Sequence, residues 1–160
     1  MAVDMFLKLD GVDGESQDDK HPKEIDVLAW SWGAAQSGTG HTGGGSGGGK
    51  VSVQDLSITK YIDAASHLLL LRCCDLKPIP KGTLVVRKSG GAKVEYIKLS
   101  MENVVVTHVG TGGSGGEDKL TENITLNFTK FTYEYTPQKA DGSGDAPKTT
   151  TWDIAKSKDS

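Results

Sequence analysis

Between Thr121 and Tyr135 the apolar residues change parity, and this constrains the fold more than any other feature of the chain. Ile124, Leu126 and Phe128 occupy even positions, whereas Phe131, Tyr133 and Tyr135 occupy odd ones. Side chains of an extended strand alternate between its two faces, so the apolar face must change sides near Thr129 and Lys130. A β-bulge does this, and so does a strand that leaves one sheet and joins another. Either solution belongs to a small closed or two-sheet barrel.

The rest of the pattern is mostly β. Met5, Leu7 and Leu9 alternate with Asp4, Lys8 and Asp10, which predicts a first strand with Phe6 on the otherwise polar side. Gly11 to Lys23 reads as a polar loop. Glu24 to Trp32 reads as one strand, with Ile25, Val27 and Ala29 facing one way and Leu28, Trp30 and Trp32 the other. Both faces are substantially apolar, so both need cover, one from the core and the other from a neighbouring subunit. Val51 to Tyr61 is again β. The one helix expected begins at a cap provided by Asp63 or Ser66, carries Leu68 to Leu71 at its centre and ends near Cys74. Pro78 and Pro80 forbid its continuation. Strands follow at Thr83–Arg87 and Val94–Val109, with Ser89-Gly90-Gly91 as a hairpin signal between them. A last short strand is expected at Trp152–Ala155. The fold class is therefore mainly β: a small two-sheet β-barrel with one α-helix and a long glycine-rich extended loop, forming a single domain over residues 1–160.

Composition narrows the function. The 160 residues suit one domain, able to bury roughly 68–70% of its unfolded surface. Glycine accounts for 21 residues, and much of the excess lies in two loops, Ser37 to Lys50 and Gly110 to Asp118. A formal net charge of −3, with the two signs interspersed, argues against a nucleic-acid binder. The N-terminus has Asp4 and Asp10 and no apolar h-region, and Leu68 to Leu71 is far too short to span a bilayer. A soluble cytoplasmic protein is expected, with any export using a route that needs no cleaved signal. Cys73 and Cys74 are sequence neighbours, which strains a mutual disulfide; they suit a reducing compartment as small apolar groups.

Several motifs imitate catalytic sites. Gly44 to Lys50 fits the phosphate-loop pattern G-x-x-x-x-G-K, but Val51 stands where Ser or Thr should bind magnesium, and an alternating strand follows where a helix N-terminus is required. Gly112 to Gly116 and Gly44 to Gly48 satisfy G-x-S-x-G only because they lie in glycine runs. Ser57 to Lys60 fits S-x-x-K on a strand, without the accompanying motifs. His21, His41, His67 and His108 lack ligand spacing, and Glu117-Asp118 and Asp18-Asp19 lack a calcium ligand ladder. No catalytic, metal or cofactor constellation emerges, so a structural or binding role is expected rather than an enzyme. No internal repeat is visible either, and repetition must come from assembly.

Five blocks carry a resemblance: MAVDMFLKLDG at the start, EIDVLAWSWG over Glu24–Gly33, VQDLSITKYID over Val53–Asp63, GTGGSGGEDKLTENITLNF over Gly110–Phe128, and Tyr135 to Gly142. Together they resemble the haemolysin-coregulated protein (Hcp) family, tube subunits of bacterial type VI secretion systems. The resemblance implies hexameric rings with an open lumen, stacked into a tube that a contractile machine expels. It also implies small effector proteins carried in the lumen, and spike and sheath components as further partners. Nucleic acid and membrane are not among the partners it implies. Carried onto this sequence, it turns Ser31 toward the lumen, opposite Trp30 and Trp32. It makes Ser37, Gly40, His41, Gly44 and Lys50 contacts of the first loop, and Gly112, Gly113, Glu117 and Asp118 contacts of the second, between subunits or rings. The Cys73-Cys74 pair and the threonines Thr149 to Thr151 depart from the family pattern. The alternatives are a phage-like tail-tube subunit and a monomeric ligand-binding β-barrel.

Overall fold

The computed structural model describes residues 2–36, 38 and 50–159. Its elements are β1 (Val3–Leu9), β2 (Ile25–Asp26), β3 (Ala29–Ser31), β4 (Ala34–Ala35), β5 (Ser52–Val53), β6 (Leu56–Tyr61), α1 (Ser66–Asp75), β7 (Ile79–Lys88), β8 (Glu95–Thr111), β9 (Thr121–Asn127), β10 (Lys130–Tyr135), β11 (Lys148–Asp153) and β12 (Lys158–Asp159). All strand pairs are antiparallel. The first sheet runs β12-β11-β10-β8-β7-β1-β2, and the second runs β3-β6-β9-β8. The 17-residue β8 belongs to both, its first part pairing with β7 and β10 and its last part with β9. The opposite corner is turned by residues 25–31, whose start pairs with β1 and whose end pairs with β6. The ladder is interrupted between β2 and β3, so the two sheets form a barrel-like sandwich rather than an unbroken ring of strands.

The parity change expected near Thr129 is a change of sheet. Phe128 and Phe131 are both buried; β9 pairs within the second sheet and β10 within the first. Thr129 itself is pinned at the corner, its N–H donating to Glu102 O at 3.1 Å and its carbonyl accepting from Ile154 N–H at 2.8 Å.

Two further parity changes were not anticipated. Residues 24–32 do not form one strand: Ile25 and Val27 are buried, but Leu28 and Ala29 are exposed before Trp30 and Trp32 turn back onto the core. Leu28 N–H donates to Thr59 O, and Ala29 is also in register with Thr59. Two residues facing one make a bulge that shifts inward parity from odd to even. In β8 the register slips between Val106 and His108, leaving Thr107 as the extra residue.

Phe6 lies on the otherwise polar side of β1, as expected. It points away from the barrel, yet is only 4% exposed, because residues 11–24 fold back over this face. This strap lies close: Gly14 N–H donates to Lys23 O at 2.7 Å and Ser16 N–H to Glu24 O at 3.0 Å. A Cβ on Gly14 would stand 2.5 Å from Glu24 O, an atom fixed by the strap itself. Gly14→Ala is expected to lower the unfolding free energy by about 2 kcal/mol, the scale of an overpacked core site, read in urea denaturation.

Leu7, Ile25, Leu56, Ile58, Leu69, Leu84, Leu99, Met101, Val104, Val106, Ile124 and Leu126 fill the interior. Of the four helix leucines only Leu69 is buried; Leu70 and Leu71 are 52% and 48% exposed. The N-cap is Ala65, and the two residues expected to cap act around it. Asp63 Oδ1 accepts from Ala65 N–H, and Ser66 Oγ accepts from Asp63 N–H, both at 2.9 Å. Leu76 ends the helix in the left-handed region, φ 53°, ahead of Pro78. Pro80 lies in β7 where only β8 pairs with it, an edge position that a missing N–H tolerates. The last strands begin earlier than expected, since Thr149 to Thr151 pair with β10.

Candidate assembly surfaces

The outward faces of the two sheets differ in chemistry. On the second sheet the cross-strand rows are Ser31–Ser57–Thr125–His108 and Ala29–Thr59–Asn123–Gly110. Thr59 Oγ1 donates to Asn123 Oδ1 at 2.8 Å, tying adjacent strands across this face. At its margin Asp55 accepts from Asn127 Nδ2 at 2.8 Å and Thr107 Oγ1 at 3.2 Å. No lysine, arginine or glutamate occupies these two rows. The first sheet's outward rows instead hold Asp4, Lys8, Arg87, Lys98, Glu102 and Glu134.

The second sheet also ends on two unlike edges. Among the described residues β3 pairs only with β6, and β8 beyond Val104 pairs only with β9. An unpaired edge presents a row of N–H and C=O groups, a template for another strand. Ser31 is exposed on β3, opposite in direction to Trp30 and Trp32, which pack against this chain's own core.

The predicted loop residues are only partly visible. Ser37, Gly40, His41 and Gly44 lie outside the described residues. Lys50 is exposed and lines a 390 Å³ groove with Ala34, Val51, Val53, Phe131 and Trp152. Gly112, Gly113, Glu117 and Asp118 are all exposed in the loop between β8 and β9. A Cβ at Gly113 would meet only the side chain of the exposed Leu120, which can turn away, and at Gly112 it would meet nothing, so packing within the chain requires glycine at neither position. The structure therefore brings Ser31 and Lys50 to the β3–β5 side and places the second loop at the end of β8.

Two polar clusters fix the surfaces. Inside the barrel, Lys60 is wholly buried, with Nζ 2.5 Å from Glu122 Oε1 and 2.8 Å from Asp63 Oδ1. Ser66 Oγ donates to the same Glu122 oxygen at 2.6 Å, so the start of α1 is tied to the second sheet. On the first sheet, Phe6 stacks on His21 with centroids 4.4 Å apart and lies 5.0 Å from the Arg87 guanidinium. His21 Nδ1 is 2.9 Å from Glu24 Oε2 and its Nε2 2.7 Å from Glu95 Oε1. Arg87 binds Asp18 through both terminal nitrogens and reaches Asp4 Oδ2 at 3.3 Å. The Arg87 bond holds the Asp18 carboxyl well below the usual carboxylate range. Neither cluster was singled out from the sequence. Lys60 and Glu122 were nonetheless legible as charges in the inward register of Leu56, Ile58 and Ile124.

Asp26, near Asp63, behaves oppositely: desolvation and then the Asp63 charge raise its pKa. A carboxyl with a raised folded pKa costs stability once ionised, and the cost disappears as pH falls through that pKa. Asp26→Asn is expected to stabilise the protein at pH 7 by about 0.5 kcal/mol, a surface-screened magnitude, with the gain vanishing in acid; thermal melts at both pH values read this.

Among the described residues no helix is long and apolar enough to cross a membrane. A family model described as type VI secretion system effector, Hcp, matches residues 6–135. Protein hcp1 of Pseudomonas aeruginosa is 54% identical over 156 residues, covering 96% of both chains. A solved structure of a type six secretion system protein superposes with a TM-score of 0.93 at 33% identity, over 99% of this chain and 100% of the other. Hcp1 from Salmonella typhimurium gives 0.83 at 40% identity, with both chains fully covered. With its fold and these relatives in agreement, the chain belongs to the Hcp family of type VI secretion system proteins.

Proposed function

We propose that the protein is a tube subunit: six copies join head to tail into a ring, and rings stack into the inner tube that the type VI apparatus expels. The observation that carries this is the second sheet, uncharged along its two outward rows and ending, among the described residues, on two non-equivalent unpaired edges. A contact between unlike surfaces closes into a ring when its rotation permits. Joining β8 of one copy to β3 of the next would continue the sheet around a lumen, with Ser31, Ser57, Thr59 and Thr125 on its wall. A wall whose two central rows carry no formal charge, with Asp55 only at its margin, exerts little field on a passing protein, which suits a conduit and carrier for small effector proteins. The charged first sheet then faces outward, toward the sheath, while ring faces meet one another and the spike. Lys50 and the first loop, and Gly112, Gly113, Glu117 and Asp118 in the second, are assigned to contacts between subunits or stacked rings. The role is structural, and the protein acts from the bacterial cytoplasm until it is expelled.

Light scattering coupled to size exclusion, with negative-stain imaging, tests this. A mass near six times 16.9 kDa and annular particles are expected; a monomer at every concentration would refute the ring. Ser31→Trp should preserve the ring mass and reduce the effector protein that co-purifies with it. Unchanged co-purification would remove Ser31 from the cargo wall.

A further inference from the structure

Helix α1 carries an exposed apolar face with no partner among the described residues. His67, Leu70, Leu71 and Cys74 recur at the i, i+3, i+4, i+7 spacing of one helical side, and all four are exposed. An apolar helix face of this kind ordinarily packs on something.

Its position says on what. At its start, Ser66 donates to Glu122, which stands opposite Thr111 at the end of β8. At its finish the chain passes into Ile79, which stands opposite Val104. The helix therefore spans the Val104–Thr111 part of β8 in the reverse direction, and the two elements pack together. That part of β8 is the stretch left unpaired where β7 begins, one of the two free edges of the second sheet.

We propose that the His67–Leu70–Leu71–Cys74 face of α1 is half of the lateral joint, seated on a second copy of this chain at its β3 side. The inference rests on the ring reading and adds the residues that hold the ring. A stable interface takes roughly 800 Å² from each partner, more than a seven-residue strand edge offers. On the β8 side the element flanking that edge is α1. On the β3 side, the chain continues directly into β4, where the apolar groove of Ala34, Val53, Phe131 and Trp152 lies open. A convex apolar face beside one edge and a concave one beside the other give the unlike pair that a head-to-tail contact requires.

The test uses the whole chain. In Leu70→Glu/Leu71→Glu both changes fall on exposed positions, so far-UV circular dichroism should be unchanged while the six-subunit mass is lost to monomer. Independently, a Cys73→Ser chain leaves Cys74 as its single thiol. In the ring, maleimide should label Cys74 several-fold more slowly than it labels glutathione. Rings that persist in the double glutamate variant, with Cys74 labelling as fast as glutathione, would overturn this joint and leave the ring reading standing. A Cys73→Ser chain that is itself monomeric, like the unmodified protein, would overturn both.

Discussion

Lys60→Ala is expected to lower the unfolding free energy by about 3–5 kcal/mol, the cost of removing one partner from a buried ion pair. The ammonium is wholly buried and sits among Glu122, Asp63 and Ser66. Asp63 is near enough to the surface to rehydrate, but the Glu122 side chain is only 3% exposed and would keep one hydroxyl as its donor. A carboxylate stranded there carries most of the penalty. The cost belongs to stranding the charge and not to losing an attraction. Lys60→Met combined with Glu122→Leu should therefore recover most of the stability, because well-packed apolar replacements of a buried pair are often neutral or better. Urea denaturation at one fixed protein concentration reads both, since assembly contributes to apparent stability. A loss under about 1 kcal/mol for Lys60→Ala would place the network in the class of solvated pairs.

Arg87→Ala should cost about 2–3 kcal/mol, below the full range for a broken buried pair because the Asp18 and Asp4 it abandons are partly exposed and can be rehydrated. Part of that loss is packing, since Arg87 is buried and its guanidinium lies over the Phe6 ring. The pH dependence separates the parts. Asp18 has a folded pKa depressed first by its hydrogen bond to Arg87, so its contribution is present above the unfolded carboxylate pKa of about 4 and is lost as pH falls below it. The native protein should lose stability steeply between pH 4 and strong acid; the Arg87→Ala protein should start lower and show a shallower acid slope. Parallel slopes would mean that Arg87 acts through packing alone.

Much of the fold was legible because side-chain alternation is a local property of an extended chain. The alternation of Met5, Leu7 and Leu9, the prolines after the helix, and above all the parity change at Thr129 predicted strands, the end of the helix, and either a bulge or a second sheet without any tertiary information. The same rule turned Ser31 opposite Trp30 and Trp32, but left open whether the tryptophans faced the core or a neighbouring subunit; the structure packs both against the core. The bulges at Leu28 and Thr107 were hidden because flanking residues on both sides were apolar enough to fit either face. What covers Phe6 was hidden as well, for it depends on a strap returning from His21 and Arg87 arriving from β7, far away in sequence.

By itself, then, the sequence determined a mainly β chain with one helix, a change of apolar face near Thr129, two glycine-rich loops and membership of a recognisable family, all written in short-range periodicity and local motifs; that the change of face is a change of sheet was left to the tertiary structure. Only the tertiary structure decided that Lys60 meets Glu122, that the two outward rows of the second sheet are uncharged and, among the described residues, end on two unlike open edges, and that α1 lies along one of them. Those facts are pairings between distant segments, and strand register and burial exist only once the segments meet.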